Sequence, residues 1–106
     1  MASPSRSVKH LLQWLVAGTR GGENRGRIID TIREEPMNTN QLRIELDLDY
    51  RTVKHHLAVL EDNELVTTVG EGYGKMYIVS PSLEENIELF DEIWDTQKNK
   101  MGEEKK

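Results

Sequence analysis

Tyr50, Arg51, Lys54 and His55 crowd a short stretch of predicted helix, with Thr52 between them. Phenol, guanidinium, ammonium and imidazole all donate hydrogen bonds, and no carboxylate follows Asp49 until Glu61. Such a face suits an anionic partner rich in acceptors. Arginine holds guanine bidentately, and lysine and histidine reach bases or phosphates. Tyr50 and Thr52, near the helix start, are placed to donate to phosphate. Ordinary solvated charge is the competing reading. Arg51 and Lys54 are assigned to nucleic acid because they share the exposed face of a helix whose other face is apolar; for His55 contact and plain surface weigh equally.

Other chemistries find little support. Adjacent residues on a helix point about 100° apart, so His55 and His56 are not expected to share a metal ion. The chain has no cysteine, which removes disulfides, thiolate metal sites and cysteine nucleophiles. It has no phosphate-binding loop of the P-loop type and no His-Glu-x-x-His motif. No enzyme activity, cofactor or metal is therefore expected. No apolar run approaches membrane-spanning length, and the start MASPSRS has no apolar signal region behind it. A cytoplasmic protein without membrane association is the expectation. The net charge of −5 opposes nucleic-acid binding at first sight, but eight of the nineteen acidic residues lie in 83–106. Local patches rather than net charge make phosphate contacts.

The elements that must position these residues follow from periodicity. Val8, Leu11, Leu12, Leu15 and Val16 recur at helical spacing, with Trp14 at the edge of the stripe. Glycines 18, 21 and 22 end that helix. Asn24 is the expected N-cap of a second helix that turns Ile28, Ile29 and Ile32 inward, and Pro36 stops it. Asn38 or Thr39 caps a short third helix holding Leu42 and Leu46. Asp47 takes the turn, and Asp49 caps a fourth helix over about 50–62 with Val53, Leu57 and Leu60 inward. Asn63 is expected to close it in the left-handed conformation. From Leu65 the period becomes two, giving strands 65–69 and 75–79 around a glycine-rich tip. Ser82, with Glu85 three residues on, has capping-box spacing for a last helix over about 83–99. The expected architecture is mainly α with a small β-hairpin, one domain over 8–101, between a disordered tail (1–7) and a charged tail (102–106).

Two helices joined by a tight turn and followed by a hairpin define a winged helix-turn-helix, whose second helix reads the major groove. In that frame Asn40, Gln41 and Arg43 brace the phosphate backbone from the preceding helix. Tyr73 and Lys75 are the candidate wing contacts. Glu71 would be repelled there unless it points away.

The run from Asn40-Gln41-Leu42 through Leu46-Asp47-Leu48-Asp49-Tyr50-Arg51-Thr52-Val53-Lys54-His55-His56-Leu57, then Val59 to Val66 and the wing ending Gly74-Lys75-Met76-Tyr77, carries a family pattern. It resembles the ArsR-type winged-helix regulators, especially short archaeal versions, over about residues 24–80. The resemblance implies a sequence-specific DNA-binding regulator, a repressor, and a structural histidine at position 56 that packs inward. The family commonly has glycine where this chain has Asp47 and Glu64; Asp47 and Asn63 are expected to supply the turn geometry. The Cys, His and Asp sets through which family members sense metals are not reproduced.

Trp14, Phe90 and Trp94 admit three readings: a subunit interface, intrachain core, or an effector pocket. The interface reading is preferred because aromatics are enriched there and because so short a chain buries a modest core. Leu11, Trp14, Leu15, Ile87, Phe90 and Trp94 are then the candidate contacts of N- and C-terminal dimerisation helices. The expected partners are double-stranded DNA and a second copy of the chain. The alternative is a winged-helix module that contacts protein or RNA without a specific operator, a reading sustained by the acidic balance.

Overall fold

A computed structural model describes the backbone of residues 4–104 and the side chains of residues 8–102. The order is α1 (Pro4–Leu12), a π-helical turn (Gln13–Ala17), α2 (Gly22–Glu34), α3 (Thr39–Leu46), α4 (Tyr50–Asp62), β1 (Val66–Val69), β2 (Met76–Val79), α5 (Pro81–Glu85) and α6 (Ile87–Glu104). The strands form an antiparallel hairpin in which Val66 faces Val79 and Val69 faces Met76. No described helix is long and apolar enough to cross a membrane.

α2 is the central beam. Ile28, Ile29 and Ile32 are buried along it, and it packs against the π-helical turn, α3, α4 and β2. Each such isoleucine contributes about 1.5–3 kcal/mol by burial. α2 starts at Gly22 rather than after Asn24, which lies inside the helix and accepts from Arg27 Nη1. The left-handed Gly21 precedes the helix, and the backbone packs closely there: a Cβ on Gly22 would lie 2.2 Å from the Val16 carbonyl oxygen. α1 likewise starts earlier than expected, at Pro4, where a fixed φ and a missing N–H suit the first helical position. Residues 1–3 and 105–106 of the expected tails lie outside the described residues.

The widened turn at 13–17 lets Leu15 and Val16 both enter the core while Trp14 stays 60% exposed. At the other end of the chain, Phe90 and Trp94 stack with ring centroids 6.2 Å apart. Both are buried, and Trp94 lies on Gly26 of α2. Three of the expected interface residues, Leu15, Phe90 and Trp94, are thus corrected to intrachain core. Glycine at 26 lets the helix approach the indole face, a contact that periodicity does not reveal. Arg33 of α2 makes a two-point ion pair with Asp91 of α6, closing the same seam.

The junctions around the wing differ from expectation. Asn63 is not left-handed; Glu64 is, at φ 58. The last helix is broken at Asn86, and its cap is Ser80, not Ser82: Ser80 Oγ accepts from Leu83 N, with Pro81 at the first helical position. Met37, just before α3, exchanges backbone hydrogen bonds with Tyr77 on the free side of β2. That bridge ties the wing to the α2–α3 junction.

Replacing Gly26 by alanine tests the α2–α6 seam. A Cβ there would come within 2.3 Å of the Trp94 ring. Alanine is the better helix former by about 1 kcal/mol, yet overpacking costs about 1–3 kcal/mol. The expected result is a lower urea midpoint for Gly26→Ala; a raised midpoint would show that the indole yields freely.

Candidate nucleic-acid interface

The short-range polar bonds that start α3 and α4 place the donor-rich face. Asn38 and Gln41 form a reciprocal capping box: Asn38 Oδ1 accepts from Gln41 N at 2.7 Å, and Gln41 Oε1 accepts from Asn38 N at 2.9 Å. Between the helices, Asp47 adopts the left-handed conformation at φ 54, as expected, and Leu48 N donates back to Arg43 O. Asp49 then caps α4 by accepting from both Thr52 N (2.8 Å) and Thr52 Oγ1 (3.0 Å). These bonds hold the Asp49 carboxyl below the usual carboxylate range. Thr52 is consequently half-buried, and its hydroxyl proton is committed to Asp49. It is not available for phosphate as expected.

On α4, Val53, His56, Leu57 and Leu60 are buried, while Tyr50, Arg51, Lys54 and His55 are exposed. Residues four apart share a ridge, so Tyr50 with Lys54 and Arg51 with His55 form two neighbouring rows. The first row lines a groove of about 350 Å³ whose other walls are Asn38, Thr39 and Asn40 at the start of α3 and Gly72, Tyr73, Lys75 and Tyr77 of the wing. Five of the ten expected contact residues, Asn40, Tyr50, Lys54, Tyr73 and Lys75, therefore meet at one concavity. Arg51 and His55 stand outside it on the outer face of the helix. Arg43 donates from Nε to Asn40 Oδ1 at 3.0 Å, bracing the groove wall rather than lining it. Gln41 is exposed but is engaged in the capping box. Tyr73 projects fully into solvent, and Lys75 Nζ lies 5.6 Å from the Tyr77 ring centroid.

The two histidines have separate environments. His55 is exposed, whereas His56 is buried and its Nδ1 lies 3.3 Å from Arg25 Nη1. Their ring centroids are 5.2 Å apart and tilted by 59°. No group of three or more metal-ligating side chains occurs among the described residues. Arg25, missed by sequence reasoning because its partners are distant in the chain, is itself buried. Burial, then the Arg25 charge, pushes the His56 imidazole below its ordinary pKa.

That shift has a measurable consequence. Below the ordinary value of 6.5 the unfolded chain takes up a proton that native His56 refuses. Stability is thus greatest above that value and falls as the pH drops toward the folded pKa. Urea midpoints should fall between about pH 7.5 and 5.5, and His56→Gln should flatten that interval. An NMR titration placing His56 at or above 6.5 would contradict the burial argument.

Residues 22–68 match the arsR family of bacterial regulatory proteins. No curated protein matches the chain significantly. Among solved structures it is similar to HlyU from Vibrio cholerae N16961, with 24% identity, TM-score 0.63, and 83% of this chain and 94% of that chain covered. It is also similar to the transcriptional regulator HlyU from Vibrio vulnificus CMCP6, with 22% identity, TM-score 0.62, and coverage of 83% and 90%. S. aureus MepR, in a structure with ethidium bromide bound, matches at 16% identity and TM-score 0.57, with coverage of 93% and 78%. These likenesses show the winged-helix fold. The family match spans α2, α3, α4 and the start of the wing, the part of the chain that carries the donor-rich face.

Proposed function

We propose that the chain represses transcription from the cytoplasm as a homodimer that seats α4 in the major groove of a palindromic operator. The observation that carries this reading is the exposed set Tyr50, Arg51, Lys54 and His55 on α4, with a groove between α4 and the wing beside it. Arg51 and His55 on the outer ridge are the base readers. Lys54, Tyr50, Asn40, Tyr73 and Lys75 track a phosphate backbone through the groove, and Arg43 and Gln41 steady its wall.

Twofold pairing brings two recognition helices about one DNA turn apart. Its proposed contacts are Trp14, exposed on the π-helical turn, and the half-buried Leu11 and Ile87. An exposed indole is the kind of side chain enriched at an interface centre. The acidic residues Glu88, Glu92 and Asp95 of α6 are exposed and keep that end of the molecule away from DNA. A second reading, contact with protein or RNA without an operator, draws on the net charge of −5.

Selection from a random duplex pool at moderate salt separates the two. The operator reading expects a palindromic motif with half-sites about 10 base pairs apart; a folded dimer that enriches nothing refutes it. On the selected site, Arg51→Ala is expected to cost about 1–3 kcal/mol and relax one base position. Lys54→Ala should weaken all sequences alike and lower the salt slope by about one. Sedimentation should show a dimer for the wild type and a monomer for Trp14→Glu; a wild-type monomer at micromolar concentration would end the dimer proposal.

A further inference from the structure

A buried guanidinium is an expensive way to fill space, because charge removed from water must be repaid by partners. Arg25 is 5% exposed, yet among the described residues no carboxylate pairs with it. Its donors are distributed over three separate parts of the chain instead. Nε donates to Leu15 O at 2.7 Å, in the π-helical turn. Nη2 donates to Thr19 Oγ1 at 2.6 Å and to Arg20 O at 3.1 Å, in the loop before α2. Nη1 faces His56 Nδ1 at 3.3 Å, on the buried side of α4. A guanidinium has no acceptor, so the imidazole must accept there, with its proton on Nε2.

The ring is held from a second side. A Cβ on Gly21 would lie 2.7 Å from His56 Cε1, and Gly21 has a left-handed φ of 89. Loop and guanidinium together leave the imidazole one pose. His56 is two residues from Lys54 and adjacent to His55 on the helix. A rotation of α4 about this clamp would carry the exposed rows with it. The loop end of the clamp reaches the candidate subunit surface, because Thr19 Oγ1 donates to Trp14 O at 2.9 Å.

We infer that Arg25 is a positioning residue for DNA binding: through His56 it sets the pose of the recognition helix and couples that pose to the segment carrying Trp14. This rests on the operator reading above. A hydrophobic residue could fill the same volume, but it could not bond the turn, the loop and the helix at once. Apolar packing aside, the other tertiary side-chain hydrogen bonds near α4 among the described residues lie at its ends; this one acts at its middle.

The test uses the full-length protein and its selected operator, with affinity read by fluorescence anisotropy well below the unfolding temperature and foldedness by circular dichroism in the same buffer. Failure of the wild type to bind any duplex is a failure of the operator reading; the outcomes below are scored on a wild type that binds. Arg25→Met is expected to lose about tenfold in affinity while folded, since residues in one network couple at that scale. His56→Leu should lose as much, and the double variant no more than either alone. His56→Gln, whose amide oxygen still accepts from Arg25, should bind within about twofold of the wild type. A residue that merely stabilised the fold would shift the urea midpoint without this affinity loss or this rescue. Folded Arg25→Met binding like the wild type, or additive losses in the double variant, would overturn the inference. Should Arg25→Met not fold, Arg25→Lys decides on the same criterion, because an ammonium cannot reach all four partners together.

Discussion

Burial of one face of α2 is the constraint on which the rest of this small structure depends. Ile28, Ile29 and Ile32 supply its apolar face, and the residues between them supply its attachments. Gly26 admits the Trp94 indole, Arg25 reaches the π-helical turn and α4, Arg27 Nη2 donates to Leu46 O at 2.9 Å, and Arg33 pairs with Asp91. A chain of this length has little interior to share among six helices. Packing the π-helical turn, α3, α4 and β2 against one element lets a modest core organise them. It also explains why large side chains at both ends of the chain, Leu15 and Phe90 among them, are drawn into that core and not left for a partner subunit.

The charge pattern follows from the same arrangement. Glu84 and Glu85 of α5 and Glu88, Glu92 and Asp95 of α6 stand on the surface, and Asp91, at the seam, is answered by Arg33. On the donor-rich side the only carboxylate at the start of α4 is Asp49, whose oxygens are occupied by Thr52. A net charge of −5 and a donor-rich face on α4 therefore coexist without contradiction. Phosphate contacts depend on nearby charge within roughly a Debye length, about 8–10 Å at ordinary salt.

The helix-turn-helix and wing were legible in the sequence because their determinants are local. Asn38 with Gln41, and Asp49 with Thr52, are bonds between residues three apart. The change of period at Leu65 marks the hairpin directly, and the exposed rows of α4 follow from the buried positions of Val53, Leu57 and Leu60. What escaped was set by distant partners. Arg25 and His56 are 31 positions apart, and nothing in either neighbourhood announces the other. Trp14, Phe90 and Trp94 look alike as apolar aromatics, but only a glycine far away on α2 decides that Trp94 goes inside. On paper Ser82, with Glu85 three residues on, is the expected cap. Ser80 wins because its hydroxyl also donates to Glu64 O at 2.7 Å.

That last bond bears on how precisely α4 is aimed. Both of its joints contain a non-glycine residue in the left-handed region, Asp47 before it and Glu64 after it. Such backbone costs of order 1–3 kcal/mol and persists where surrounding bonds over-determine it. Each joint here is pinned by a side chain from another element. Arg27 of α2 holds the carbonyl of Leu46 next to Asp47, and Ser80 beyond the wing holds the carbonyl of Glu64. With His56 bonded to Arg25 at the middle, α4 is fixed by polar contacts at its beginning, centre and end. Apolar packing alone is non-directional and would leave a short helix free to rock on its core. Three directional bonds remove that freedom, which is what the proposed setting of side chains against base edges requires.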